Sequence, residues 1–190
     1  MIVCETARLR VRGWLDSDRD LFAAINSDAT VMEFFPHRRS RAEADALFDR
    51  NSRSIRETGF GFFALALRTD DAPIGFCGLA LTNAEPHLPD GTIEIGWRLA
   101  LPHWGKGYVT EAARALLHCG FTQRKLDEIV AFAVPANTRS TAVMKRIGMR
   151  PDPLRDFDHP HVPDTHPHLK RHVVYAITAK EWGRDAARPD

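Results

Sequence analysis

The 190-residue chain has only three cysteines, Cys4, Cys77 and Cys119. Their odd number and irregular spacing indicate neither a disulfide framework nor a cysteine-based zinc site. A surplus of one charge is also missing: 26 Lys and Arg against 25 Asp and Glu leave a formal net charge of +1. A nucleic-acid partner is therefore not expected, since such a surface needs a strong basic excess. No apolar run approaches the roughly 20 residues that cross a bilayer, so no membrane partner is expected either. The N-terminal stretch Met1-Ile-Val-Cys-Glu-Thr-Ala-Arg8 lacks the layout of a secretory signal, which makes a cytoplasmic location the expectation. There is no internal repeat or low-complexity tract. What is present, 44% hydrophobic and 27% charged residues, is ordinary for a soluble globular protein, and residues 1–190 are read as one domain long enough for a full core.

Periodicity places the elements. Arg8 to Arg12 alternates as a first strand with Leu9 and Val11 inward, and Asp16 to Asn26 reads as a short helix carrying Leu21, Phe22 and Ile25. Ser40-Arg-Ala-Glu43 is a capping box that predicts a helix to about Arg56, with Ala44, Leu47 and Phe48 inside. Gly61 to Leu67 and Pro73 to Leu81 read as a hairpin turning at Thr69-Asp-Asp-Ala72. Ile93, Ile95, Trp97 and Leu99 alternate with Glu94, Gly96 and Arg98 as a half-buried strand. Ala112, Ala113, Leu116, Leu117 and Phe121 then line one face of a helix. Glu128 to Val134 is a continuous apolar strand stopped by Pro135. A helix opens at Asn137, an N-cap by residue type, carries Val143, Met144 and Ile147, and closes at Gly148. His172 to Thr178 is a final strand. Antiparallel hairpins followed by one βαβ unit predict an α/β fold, a mixed and mostly antiparallel sheet flanked by helices.

Between the strand ending at Leu99 and the helix that follows lies Leu101-Pro-His-Trp-Gly-Lys-Gly-Tyr108. Two glycines one residue apart at a helix N-terminus bring free backbone N–H groups and a positive dipole end to one spot, a place for a phosphate. Familiar phosphate motifs do not fit. A Walker loop needs Ser or Thr after its Lys, and a dinucleotide fingerprint needs a glycine where this chain has Thr110.

Here the chain resembles the GNAT acetyltransferases, and within them the RimJ/RimL-type N-acetyltransferases, from about Glu5 to Trp182. Pro102-His-Trp-Gly-Lys-Gly107 matches the family's (Gln/Arg)-X-X-Gly-X-(Gly/Ala) turn except at its first position, and Trp-Gly-Lys-Gly-Tyr followed by Thr-Glu-Ala is typical of that branch. Asn137-Thr-Arg-Ser140, closing in Ile147-Gly-Met149, matches the Asn-X-X-Ser helix in the right order downstream. The resemblance implies a GNAT-like fold with a βαβ unit that binds acetyl-CoA as co-substrate. The turn residues Trp104, Gly105, Lys106, Gly107 and Tyr108 would hold the pyrophosphate, backbone at Leu99 and Leu101 the pantetheine, and Asn137 would also contact the co-substrate. It further implies an amine acceptor, either a small molecule or a peptide, and admits a homodimer.

The chemistry expected is direct attack of an amine on the thioester in a ternary complex. Glu94 stands where the family often has a carboxylate acting through water; the alternative is a strand residue that is solvated or salt-bridged, with Arg98 as one partner for it. The family's usual general-acid Tyr, seven residues after Asn137, is replaced by Met144, and Ser140 is the substitute for bonding the departing sulfur. Cys119, with no His paired to it by motif, reads as buried and inert. An α-amine has a pKa near 7.8 and a Lys amine near 10.4, so freeing the latter at neutral pH costs about 3.5 kcal/mol more. An α-amine, on a protein N-terminus or an amino-acid-like molecule, is thus the favoured acceptor. A catalytically inactive acyl-CoA sensor, and acetylation of a small amine such as an aminoglycoside, stay open beside it.

The segment from Asp156 to His172 holds five of the nine histidines. Its His159/His161 and His166/His168 pairs would suffice for a tetrahedral zinc site, but a proline-stiffened loop is preferred and no metal is expected. A similar Phe-Asp-His-Pro segment occurs in RimJ/RimL-type proteins, where it borders the acceptor cleft, so His159 and His168 are candidate substrate contacts. Phe35, in the stretch from Val31 to His37, is another.

Overall fold

The computed structural model describes residues 2–82, 84 and 86–186. The chain forms two compact units, Met1–Ala80 with Gly96–Leu116, and Leu81–Ile95 with Leu117–Asp190. The first contains β1 (Ile2–Glu5), β2 (Leu9–Arg12), α1 (Arg19–Ser27), α2 (Arg41–Thr58), β3 (Gly61–Leu67) and most of β4 (Pro73–Leu81). β1 to β4 pair in sequence order, each antiparallel to the next. Two elements, β5 (Ile93–Leu99) and α3 (Tyr108–Thr122), pass from one unit into the other. The second unit adds β6 (Glu128–Ala133), α4 (Thr138–Arg146), β7 (Arg150–Pro151), β8 (Phe157–Asp158), β9 (Arg171–Thr178) and α5 (Ala179–Ala186). There β5 runs parallel to β6 with Glu94 opposite Val130, and β9 pairs antiparallel with β6, β7 and β8. The strands are thus mixed and mostly antiparallel, as the sequence predicts.

Local chemistry explains the boundaries. Ser40 Oγ accepts the Glu43 amide while the Glu43 carboxylate accepts the Ser40 amide, and α2 ends on Gly59 with φ 75°. The same device starts α5, which the sequence reading leaves as chain after the last strand. Thr178 and Glu181 exchange backbone and side-chain bonds across Thr-Ala-Lys-Glu. β1 is not expected from the sequence; its two end residues are exposed and its two middle ones half-buried, so it gives no core-facing signal.

In the first unit the core gathers Phe22, Ile25, Val31, Ala44, Phe48 and Phe76, with Trp14 packed edge-on against Phe22 at 5.0 Å. One charged pair lies below the surface there. Arg12 and Asp18 are 5% and 2% exposed and meet through two bonds of 2.6 and 3.2 Å, while Arg12 Nε also reaches Asp71 at 3.1 Å. Asp18 additionally accepts the Leu15 amide. Removing one partner of such a pair strands the other's charge, partly relieved here by Asp71. Asp18→Ala is therefore expected to lower the unfolding free energy by about 2 kcal/mol in urea titration; a change below about 0.5 kcal/mol would show that Asp71 alone suffices. The second unit packs Ala84, Leu88, Val130, Phe157 and Val174 together, with Phe132 and Ala176 against them.

Candidate active site

The turn ahead of α3 is built for close approach by an anion. Gly105 and Gly107 adopt φ of 74° and 76°, the left-handed region. Among the described residues, a Cβ on Gly105 would meet nothing within 4 Å, and one on Gly107 only Arg8 Nη2 at 3.6 Å. The glycines are therefore required by backbone conformation and not by crowding, and they leave the amides bare. Among the described residues the amides of Gly105, Lys106 and Gly107 meet no protein acceptor. With the unpaired first-turn amides of α3 they form a surface that fits a pyrophosphate. Trp104 stays on the inner side: its indole donates to the Leu99 carbonyl at 2.9 Å, and the Ala100 amide donates to Ile74 O at 3.0 Å. Leu101 is exposed at the start of a short 3-10 turn that ends at His103. The bonds at Leu99 and Ala100 narrow the backbone expected to bind pantetheine.

Arg8, which the sequence reading treats only as the edge of a strand, holds this turn in place. Its Nε donates to Glu111 in the first turn of α3 at 2.6 Å, its Nη1 to the Lys106 carbonyl at 3.0 Å, and its guanidinium lies 4.7 Å from the centre of the Tyr108 ring. Glu111 also accepts the Arg8 amide at 3.0 Å.

The second unit holds Glu94, Asn137 and Ser140. Glu94 is half-buried on β5, its carboxyl has no hydrogen-bond partner among the described residues, and burial pushes its pKa up to about 8. The Arg98 alternative is not realised, because Arg98 Nη1 donates instead to Asn26 Oδ1 at 2.6 Å. Asn137 caps α4, its Oδ1 accepting the Ser140 amide at 3.2 Å, so local structure already employs the side chain that was assigned to the co-substrate. The Ser140 hydroxyl, half-buried, makes no protein hydrogen bond among the described residues. Met144 is 2% exposed and Cys119 is buried.

The candidate acceptor residues separate. Phe35, 40% exposed, stacks on Arg98 with the guanidinium carbon 4.1 Å from its ring centre. His159 joins a cluster of rings, 4.9 Å from His172 and 5.9 Å from Phe132, and burial with neighbouring histidines lowers its pKa to about 4. That imidazole is a neutral packing group at physiological pH. His168 is exposed beside His166 at 6.1 Å. Among the described residues no three His, Cys, Asp or Glu side chains are placed to hold a metal ion.

Comparison with known proteins gives these parts an owner. The Acetyltransferase (GNAT) domain family matches residues 8–150, three quarters of the chain. The uncharacterized N-acetyltransferase YnaD of Bacillus subtilis is 33% identical over 146 residues, covering 76% of this chain and 81% of that protein. An acetyl coenzyme A-N(2)-transacetylase of Aspergillus fumigatus is 32% identical over 104 residues, 54% of this chain and 42% of its own length. Among solved structures, a GNAT-family acetyltransferase from Bacillus anthracis superposes with a TM-score of 0.76 at 27% identity, covering 95% of this chain and 99% of that one. The open glycine turn, the helix it starts and the family match over both make this chain a member of the GNAT acetyltransferases, an N-acetyltransferase that takes acetyl-CoA as its co-substrate.

Proposed function

We propose that the acceptor is an α-amine, as in the RimJ/RimL branch, and that acetyl transfer is direct. The observation that carries this reading is Glu94, a carboxyl with a pKa of about 8 and no hydrogen-bond partner among the described residues. Proton transfer is most effective when donor and acceptor are closely matched. An α-ammonium with a pKa near 7.8 matches this base, whereas a Lys ammonium near 10.4 is about 2.5 units out of reach.

In this reading the α-amine nitrogen forms a bond to the thioester carbonyl carbon, and Glu94 takes the proton that the nitrogen sheds, directly or through water. The C–S bond then breaks, and the electron pair leaves on sulfur. Ser140 donates its hydroxyl hydrogen bond to that sulfur, the task left open by Met144. The amides of Gly105 to Gly107 hold the pyrophosphate, and Arg8 keeps the turn in register.

Initial rates on a peptide with a free N-terminus and on an N-blocked Lys peptide, at pH 7.5, test the acceptor class. The free N-terminus is expected to be acetylated at least tenfold faster, with mass spectrometry placing the acetyl group on the α-nitrogen. Faster acetylation of the blocked Lys peptide would overturn the α-amine assignment. Double-reciprocal plots should intersect; parallel lines would indicate an acyl-enzyme and sink direct transfer.

A further inference from the structure

Arg98 is a cation taken largely out of water, and among the described residues no carboxylate pairs with it. Its Nη1 donates to Asn26 Oδ1 at 2.6 Å, and the rings of Phe35 and Phe76 lie 4.1 and 5.3 Å from its guanidinium carbon. Its Nε is buried and meets no acceptor, and Nη2 has no hydrogen bond among the described residues. The charge that acts on it is a second cation, Arg39, whose Nη1 points at the same Asn26 oxygen from 3.4 Å. Asn26 is fully buried, and its amide nitrogen is committed to the Phe22 carbonyl at 2.7 Å, which turns its single side-chain oxygen toward both arginines. Burial pulls both arginines down, Arg98 to about 9, which leaves Arg98 charged at neutral pH.

Tying β5 to α1 requires only Nη1. The remaining Nε–Nη2 edge is a fork of two parallel N–H groups, the geometry that a carboxylate accepts through both oxygens. Leaving the buried Nε without an acceptor is costly, and with Nη2 beside it making no hydrogen bond among the described residues the site has the form of one half of an ion pair. Phe35, exposed on one side and stacked on the guanidinium on the other, supplies an apolar wall.

We infer that the acceptor carries a carboxylate as well as its amine, and that this carboxylate docks on the Nε–Nη2 edge of Arg98, with Arg39 as second cation and Phe35 beside it. The inference rests on the amine-acetylation reading above and adds to it the chemistry of the acceptor's other end.

Alanyl-phenylalanine and its C-terminal amide make the test, since their α-amines are nearly alike and their far ends differ by one charge. Their N-acetyl forms allow calorimetry without turnover. The N-acetyl acid is expected to bind at least tenfold tighter than the N-acetyl amide, and kcat/KM of the free dipeptides should follow the same order. Arg98→Gln should bring that ratio close to one, and Arg98→Lys, which keeps the charge but loses the fork, should leave an intermediate value. Should Arg98→Gln fail to fold, Arg39→Gln on the other side of Asn26 must lower the ratio instead. Equal binding of acid and amide, or binding of neither, would overturn the inference, as would displacement of the acid by inorganic phosphate at lower concentration than by acetate. Tight binding of the N-acetyl acid with no acetylation of either dipeptide would keep the carboxylate site and defeat the α-amine reading.

Discussion

Glu94→Gln should lower kcat about a thousandfold, within the range of roughly 10² to 10⁴ that a positioned general base contributes, with the Kd for acetyl-CoA unchanged. Glutamine keeps the size of the side chain and loses only the ability to take a proton. The pH dependence distinguishes this role from a packing role. With a pKa of about 8, roughly a tenth of Glu94 is ionised at pH 7. The amine must also be free, so log kcat/KM of the wild type should rise with a slope near two below pH 7.5. The variant keeps only the amine's ionisation, and its slope should fall to one. A stability experiment reads the same group without substrate. The folded state holds the Glu94 proton more tightly than an ordinary carboxyl of 4.5, so its stabilising contribution is complete below that value and is lost as pH rises through about 8. The Tm of the wild type should consequently fall relative to the variant between those limits. Parallel Tm curves with unchanged kcat/KM slopes would remove Glu94 from catalysis.

The parts of the site that could be read in the sequence are those whose chemistry is local. The glycine turn was legible because strand alternation ends and helical periodicity begins on either side of two glycines, and the positive φ at both is what that spacing demands. The capping box of α2 and the limits of β3 and β4 follow from contacts within a few residues. α5 carries the same signature in Thr178 and Glu181, and it was available to be read. Arg8 was not, since its bonds to Glu111 span 103 positions and leave no periodic trace. The pairing of Arg98 with Glu94, one of the alternatives for that carboxylate, does not form. Residues four apart lie one above the other on a helix, but on a strand they are about 13 Å apart, beyond the reach of an ion pair. The guanidinium instead finds Asn26, fixed on α1. The ionisation of Glu94 was equally hidden, because burial sets it and no neighbouring residue type announces burial.

Gly107→Glu should weaken acetyl-CoA binding roughly a thousandfold in calorimetry while the protein remains folded. Two effects separate at this position. Any L-residue at φ 76° carries strain of about 1 to 2 kcal/mol, and Gly107→Ala measures that cost by itself. There is room for the new side chain, since the nearest atom to its Cβ is Arg8 Nη2 at 3.6 Å, so steric unfolding is not expected. The glutamate then places a full negative charge among amides that otherwise face the pyrophosphate. At about 4 Å and an effective dielectric constant of 20, each like-charge contact costs about 4 kcal/mol, near a thousandfold in affinity. Among the described residues Arg8 alone approaches the new Cβ within 4 Å, and its donors are already engaged by Glu111 and the Lys106 carbonyl. Pairing the intruding carboxylate would require breaking the clamp that orders the turn, so relief by that route also costs affinity. Gly107→Ala is accordingly expected to retain binding within about tenfold of the wild type. Equal affinities for wild type and Gly107→Glu would mean that the anion lies elsewhere and that the open amides of this turn have another use.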